Sequence, residues 1–340
     1  MLKRILVAFV LLSVAAWNTS AWSQGKDLRI STGPIGSTGH KAMVVLAEVL
    51  NREMPNYRIA VLPTPGAVNT VKGYAMGEFQ GYYGSDLSFQ ELASDCCRFK
   101  GFKAQVKQEP WQSFWAYTIE AGIAVHARNK DKIRKWSDLA GKRVFTGPLP
   151  FDVRVQLERA LEALNVRHNY VQIDLATVGS QLESGAIDAI CIYTSAESVP
   201  VPWLIEASLA ADWAALNPSG EEMAKLKSKN FAVTEVKPEV FKRNTHTDKV
   251  ALLPFFWGFH VGRDVPEDDV YKSLTIIEKN AAALAKSDSS FVQIAQSMPK
   301  MQQRGVQSAA DLVPIHPGLA KYMREKGVWD KKWDAKVAGM

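Results

Sequence analysis

The chain has 340 residues, 47% of them hydrophobic and 22% charged, a globular composition that excludes a disordered or low-complexity protein. Its formal charge is +6, without a dense Lys/Arg block, so the charge does not describe a nucleic-acid-binding surface and no nucleic acid is expected as partner. The cysteines, Cys96 and Cys97 adjacent and Cys191 far away, do not form a disulfide framework. A bridge to Cys191, a vicinal disulfide and free thiols stay open, although Cys191 within an apolar strand pattern favours a buried thiol.

Lys3 and Arg4 precede an apolar run over 5–17, followed by Ala21, Trp22 and Ser23. This predicts a signal peptide over 1–23, cleaved near Ser23, with an uncleaved anchor as the alternative. The longest later apolar run, 250–261, is interrupted by Pro254 and too short to span a bilayer. After cleavage the protein is therefore expected in the periplasm, soluble and not membrane-spanning.

The mature chain reads as repeated strand–loop–helix units. A strand at 28–30 enters a loop rich in glycine and hydroxyls, Gly33 to Gly39, and an amphipathic helix over 41–54 leaves it. That order aims backbone N–H groups and a positive helix end at an anion. A strand at 57–62 ends in the loop Pro63 to Thr70, and a helix follows from about 68 to 76. A third strand, around Tyr82 and Tyr83, precedes a helix over 87–93 that Ser85 or Asp86 would cap.

The middle repeats the pattern. A strand is expected at 119–127, a short helix near 135–140 with a strand after Gly141, and a helix over 153–164 capped by Asp152. Strands at 170–175 and 187–193 flank a helix over 178–184, and Thr194 and Ser195 open the helix that contains 201–211. Helices at 267–286, 291–300 and 319–326 complete the chain. Alternation of this kind predicts mainly parallel sheets with helices on both faces, and two such lobes with their strand ends at a common cleft.

Enzymatic constellations are missing. There is no H-E-x-x-H, C-x-x-C or G-x-S-x-G, and the glycine loop is neither G-x-G-x-x-G nor a P-loop. No metal and no cofactor are expected, and the chain is not expected to be an enzyme. His40, Asp86 and Asp152 are the residues an enzymatic alternative on the same scaffold would use, but helix capping accounts for both aspartates.

Seven motifs then occur in order: Thr32-Gly33 through Gly39, Thr64-Pro65-Gly66-Ala67-Val68-Asn69, Gly77-Glu78, Gly84-Ser85-Asp86, Gly141-Lys142-Arg143-Val144, Ile187-Asp188-Ala189 and His316-Pro317-Gly318. Together they resemble the TAXI family of extracytoplasmic solute-binding proteins, which serve TRAP transporters. The resemblance implies a type II periplasmic-binding-protein fold of class α/β, two-lobed, each lobe a mostly parallel sheet flanked by helices, with the ligand in the cleft between them. It implies lobe 1 from 24–122 and 256–340, lobe 2 from 123–255, hinges near Ala121-Gly122-Ile123 and Pro254, and a monomer. By the same resemblance the protein captures a small organic anion, a carboxylate, and delivers it to TRAP membrane permease subunits; an ABC permease or a sensor is the alternative partner.

Carried over residue by residue, Gly36, Ser37 and Thr38 would bind from the first loop and Gly66, Ala67 and Val68 from the second. Ser85 would add a hydroxyl and Arg154 a bidentate grip on the carboxylate, so that Arg154→Ala weakens binding. Tyr83, Phe151 and Tyr193 would form apolar walls, with Ser195 beside them. Trp111, Phe114, Trp115 and Tyr117 are expected in the core near the hinge. The chain departs from the family pattern at Pro34-Ile35 and at Pro148-Leu149-Pro150-Phe151-Asp152, where bulky or apolar residues replace small polar ones.

Overall fold

The computed structural model describes residues 25–339, so the signal peptide expected over 1–23 lies outside the described residues. Strand β1 (Lys26–Thr32) leads to helix α1 (Thr38–Glu53), whose buried Ala42, Met43, Leu46, Ala47 and Leu50 recur at helical spacing. The Ser37 hydroxyl accepts from the His40 N–H and starts the helix three residues earlier than its apolar pattern. Next come β2 (Tyr57–Pro63), α2 (Ala67–Ala75), β3 (Gly81–Ser85) and α3 (Asp86–Ala93), the last capped by Ser85.

The long strand β4 (Trp115–His126) carries the chain into the second half: β5 (Arg143–Phe145), α4 (Asp152–Ala163), β6 (Asn169–Tyr170), α5 (Val178–Ser184) and β7 (Ala189–Ser195). Then come β8 (Val199–Pro200), α6 (Pro202–Ala210), β9 (Trp213–Leu216), α7 (Gly220–Ser228) and β10 (Thr234–Val236). Strand β11 (Val250–Val261) returns to the first half, where α8 (Glu267–Ser287), α9 (Val292–Ala309) and α10 (Pro317–Glu325) pack.

The sheet order is β2-β1-β3-β11-β4-β7-β5-β6. Pairs within β2-β1-β3 and β7-β5-β6 are parallel, whereas β11 and β4 are antiparallel to each other and to their neighbours. This is an α/β fold with two parallel halves joined by two twelve-residue strands. In those strands Leu253 pairs with Ala121 and Pro254 with Glu120, so the two segments expected as hinges lie side by side. On its other edge β11 pairs with β10 up to Leu252 and with β3 from Trp257. Pro254, which has no N–H to donate, falls in the gap between them.

Several sequence expectations change. Asp152 is the first helical residue of α4, and the cap position belongs to Phe151. The strand expected at 170–175 is only two residues long, because β5 offers only Arg143 and Val144 as partners. Thr194 and Ser195 end β7 rather than open a helix: Ala196 and Glu197, at φ 55° and 54°, turn the chain back into β8. Helix α9 continues beyond Pro299 to Ala309, with its non-helical residue at Ser297. Strand β4 begins at Trp115, and Phe114, Trp115 and Tyr117 are buried in the core as expected.

Candidate functional site

The carboxyl ends of β1 and β2 lead through short loops to the N-termini of α1 and α2, and β5 leads through residues 146–151 to α4. These ends enclose a cavity of about 390 Å³. Ser37, Thr38 and Gly39 line it from α1, Gly66 and Ala67 from α2, and Phe151, Asp152 and Val153 from α4. The first N–H groups of each helix have no helical acceptor. Neither Gly66 nor Phe151 caps its helix with a side chain. Donors and positive helix ends therefore face the cavity from both halves of the sheet. Gly39 is required here, since a Cβ would lie 2.4 Å from the Tyr83 ring.

The walls are aromatic. Tyr83 stacks on Trp257 at 4.3 Å and on Phe259 at 5.2 Å, and its hydroxyl is bonded to that of Tyr117. Across the cavity the Trp203 Nε1–H donates to the Tyr193 hydroxyl at 2.9 Å. These polar tips are spent on one another, which leaves the wall apolar for a guest.

Asp152 is the one charged side chain on the wall of this cavity among the described residues, and it is neutralised from behind. The Arg98 Nη1 pairs with its carboxylate and donates to the Pro150 carbonyl at 2.8 Å, while Arg98 Nε pairs with Glu91 at 2.6 Å. The Ser85 hydroxyl donates to the other Asp152 oxygen. Burial raises the Glu91 carboxyl, and the two carboxylates hold Arg98 firmly protonated against its own burial.

A larger chamber of about 770 Å³ adjoins, with Phe255 lining both. It is polar: Gln90, Gln156, Arg159, Lys229 and Arg304 line it, with Asp86, which burial pushes up to about 7. The Asp86 carboxylate accepts the Phe256 N–H at 3.1 Å.

The structure thus brings Gly36, Ser37, Thr38, Gly66, Ala67, Tyr83, Phe151 and Tyr193 to one cavity. It does not bring Val68, Ser85, Arg154 or Ser195 to its wall. Val68 packs against the core, and Ser85 is consumed by Asp152 and by capping α3. The Arg154 guanidinium lies 4.2 Å over the Tyr170 ring, with Nε 4.0 Å from Glu158, and Ser195 is buried within β7. His40 is bonded through Nδ1 to the Thr32 hydroxyl at 2.9 Å. Trp203 and Trp257 line the cavity without any signal in the motifs. Strand β11 is apolar along nearly its whole length, so no alternation marks which of its side chains faces a guest.

Among the described residues no group of three or more His, Cys, Asp or Glu is placed to hold a metal, and no helix is long and apolar enough to cross a membrane. The model of the NMT1-like family matches residues 30–327. The chain belongs to the NMT1-like family. No curated protein matches it. Among solved structures it is similar to the periplasmic aliphatic sulphonate binding protein SsuA from Escherichia coli, at 13% identity and TM-score 0.43 over 88% of this chain and 90% of that one. It is also similar to a putative L-cystine ABC transporter from Listeria monocytogenes, at 13% identity and TM-score 0.44 over 78% and 96%. A TRAP periplasmic solute-binding protein from Shewanella oneidensis with bound succinate gives 12% and 0.41 over 92% and 96%. This NMT1-like chain is an α/β protein whose two parallel sheet halves are joined by β4 and β11.

Proposed function

We propose that the protein captures a small amphipathic acid, a carboxylate on an apolar body, in the periplasm and delivers it to a TRAP-type membrane permease. The observation that supports this reading is the convergence of three helix N-termini, α1, α2 and α4, on an aromatic-walled cavity without a side-chain cation. Amide donors and helix ends suit a carboxylate, and the apolar wall suits the rest of its body.

Closure is favoured by the rims. Ile35, beside Pro34 and Gly36 on one rim, and Leu149 and Phe151 on the other are exposed apolar residues. They fall where this chain departs from the TAXI pattern. A guest that draws the lobes together buries them, so the closed form gains apolar burial in addition to ligand contacts. We place the hinge at residues 121–123 and at Pro254, with lobe 1 formed by 24–122 and 256–340 and lobe 2 by 123–255.

The TRAP partner rests on the ordered motifs alone. Its test is whether purified TRAP permease subunits bind the liganded protein and ignore the empty one. Calorimetry with the solute recovered from the purified protein tests capture: one-to-one binding and unchanged solute are expected, and conversion of the solute would instead establish an enzyme. A second reading, favoured by Arg159 and Arg304, seats the acidic head in the polar chamber. Under it, Arg159→Gln abolishes binding; under the first it does not.

A further inference from the structure

We propose that Cys96 and Cys97 are a modification site, at which a disulfide-bearing oxidant closes a vicinal disulfide that stiffens the turn holding Arg98. The two Sγ atoms lie 2.8 Å apart, Cys97 is exposed and Cys96 half-buried. Cys191 is fully buried in β7, which removes it as a partner for either. Among the described residues the pair belongs to no group of three or more His, Cys, Asp or Glu placed to hold a metal. Cys97 already occupies the left-handed region at φ 56°, so the turn is tight before any bond forms.

The next residue in the chain gives the site its consequence. Arg98 reaches from behind α3 to Asp152 and to the Pro150 carbonyl on the cavity wall. Its own carbonyl accepts from Lys72 Nζ at 2.7 Å, and Phe99 is buried, so the turn is anchored on its far side. Of the pair, Cys97 is exposed and so open to an oxidant. Linking the pair removes freedom from the Arg98 backbone before the guanidinium engages α4.

The step balances as thiol–disulfide exchange. One cysteine thiolate attacks the oxidant's disulfide and expels a thiolate. The other attacks the resulting mixed disulfide at the cysteine sulfur and expels the second thiolate. Two protons pass from the cysteines to the two departing thiolates, the pair is oxidised by two electrons, and the oxidant is reduced to two thiols. The proposed export supplies an oxidising compartment for this, but the experiment does not depend on it, nor on any bound solute.

The purified full chain, reduced and then exposed to glutathione disulfide, is acid-quenched, unfolded and alkylated on return to neutral pH, and then digested with trypsin. The peptide spanning 73–98 contains both cysteines and no internal Lys or Arg. It is expected to lose two hydrogens and to resist alkylation, while the Cys191 peptide is alkylated after unfolding. Hydrogen exchange at residues 152–155 is expected to slow at least threefold on oxidation in the ligand-free protein, and the Cys96→Ser/Cys97→Ser variant to show no response. A stable glutathione adduct, a crosslink to the Cys191 peptide, or unchanged exchange in the oxidised chain would each overturn the proposal. Loss of solute binding with these results intact would count against the proposed function only.

Discussion

The Arg98 guanidinium, from the segment after α3, pairs with the Asp152 carboxylate at the start of α4, and so ties the first half of the sheet to the wall of the cavity in the second. Asp152 is nearly inaccessible, and Glu91 shares the same cation. Removing one partner of such a buried group leaves charges without compensation. Arg98→Ala is expected to lower stability by about 3–5 kcal/mol, read as a drop in the urea midpoint without change in slope. Arg98→Lys, which keeps the charge but cannot reach Glu91, Asp152 and the Pro150 carbonyl together, should fall between the two.

The rims are tested by a different experiment. Ile35 is 77% and Leu149 57% exposed, so Ile35→Ser with Leu149→Ser should leave stability within about 0.5 kcal/mol. Solute affinity should fall about tenfold, since 1.4 kcal/mol of rim burial corresponds to roughly 55 Å² of apolar surface at about 25 cal/mol per Å². An unchanged affinity would mean that the rims do not meet on closure.

Two substitutions separate the helix-terminus reading from the arginine expected from the motifs. Arg154→Ala should leave affinity within about twofold, because the guanidinium is occupied by Tyr170 and Glu158. Ala67→Glu puts a carboxylate in the first turn of α2, where the helix end favours it. Stability should hold, and binding of an acidic solute should fall at least tenfold.

A pH dependence is built in beside the hinge. Burial pushes Glu120 up to about 8 and Asp86 up to about 7, although Glu120 accepts from Thr194 at 2.5 Å and from the Glu197 N–H at 3.0 Å. Between pH 5 and these values the folded chain holds protons that the unfolded chain has released, so stability falls as pH rises. His260 and His316, depressed by burial to about 3 and about 4, act in the opposite sense, but only below the ordinary histidine range near pH 6.5. The melting temperature should therefore fall from pH 6.5 to 8, with a slope of up to about 1.4 kcal/mol per pH unit for each acid. Above pH 7 the share of Asp86 wanes and Glu120 carries most of the remaining slope, so Glu120→Gln should reduce it.

Most of the fold was legible wherever local signals agreed. Ser85, one of the two caps expected for its helix, does cap it, and Ser37, expected only as a binding residue, proves also to cap α1. Strands β9 and β10 carried no comparable signal, because they are short and stabilised by pairing with β4 and β11; helix α7 did carry one, the Ser219–Glu222 capping box, which was missed. In the cavity, the residues of the glycine loops were readable because the turn chemistry is local. Trp203 and Trp257 were not, since their position depends on where α6 and the remote strand β11 pack. Arg154 shows the limit of motif transfer: its place in the chain matched, but Tyr170 and Glu158 draw the side chain elsewhere.

The most direct measurement is hydrogen exchange on the full chain, with and without the solute that co-purifies with it, once that solute has been identified by mass spectrometry. A small carboxylate with an apolar body is expected, together with new protection at the first turns of α1, α2 and α4, around Thr38, Ala67 and Val153. Protection confined to the surroundings of Arg159 and Arg304, or to one half of the sheet alone, would contradict capture at the three helix ends.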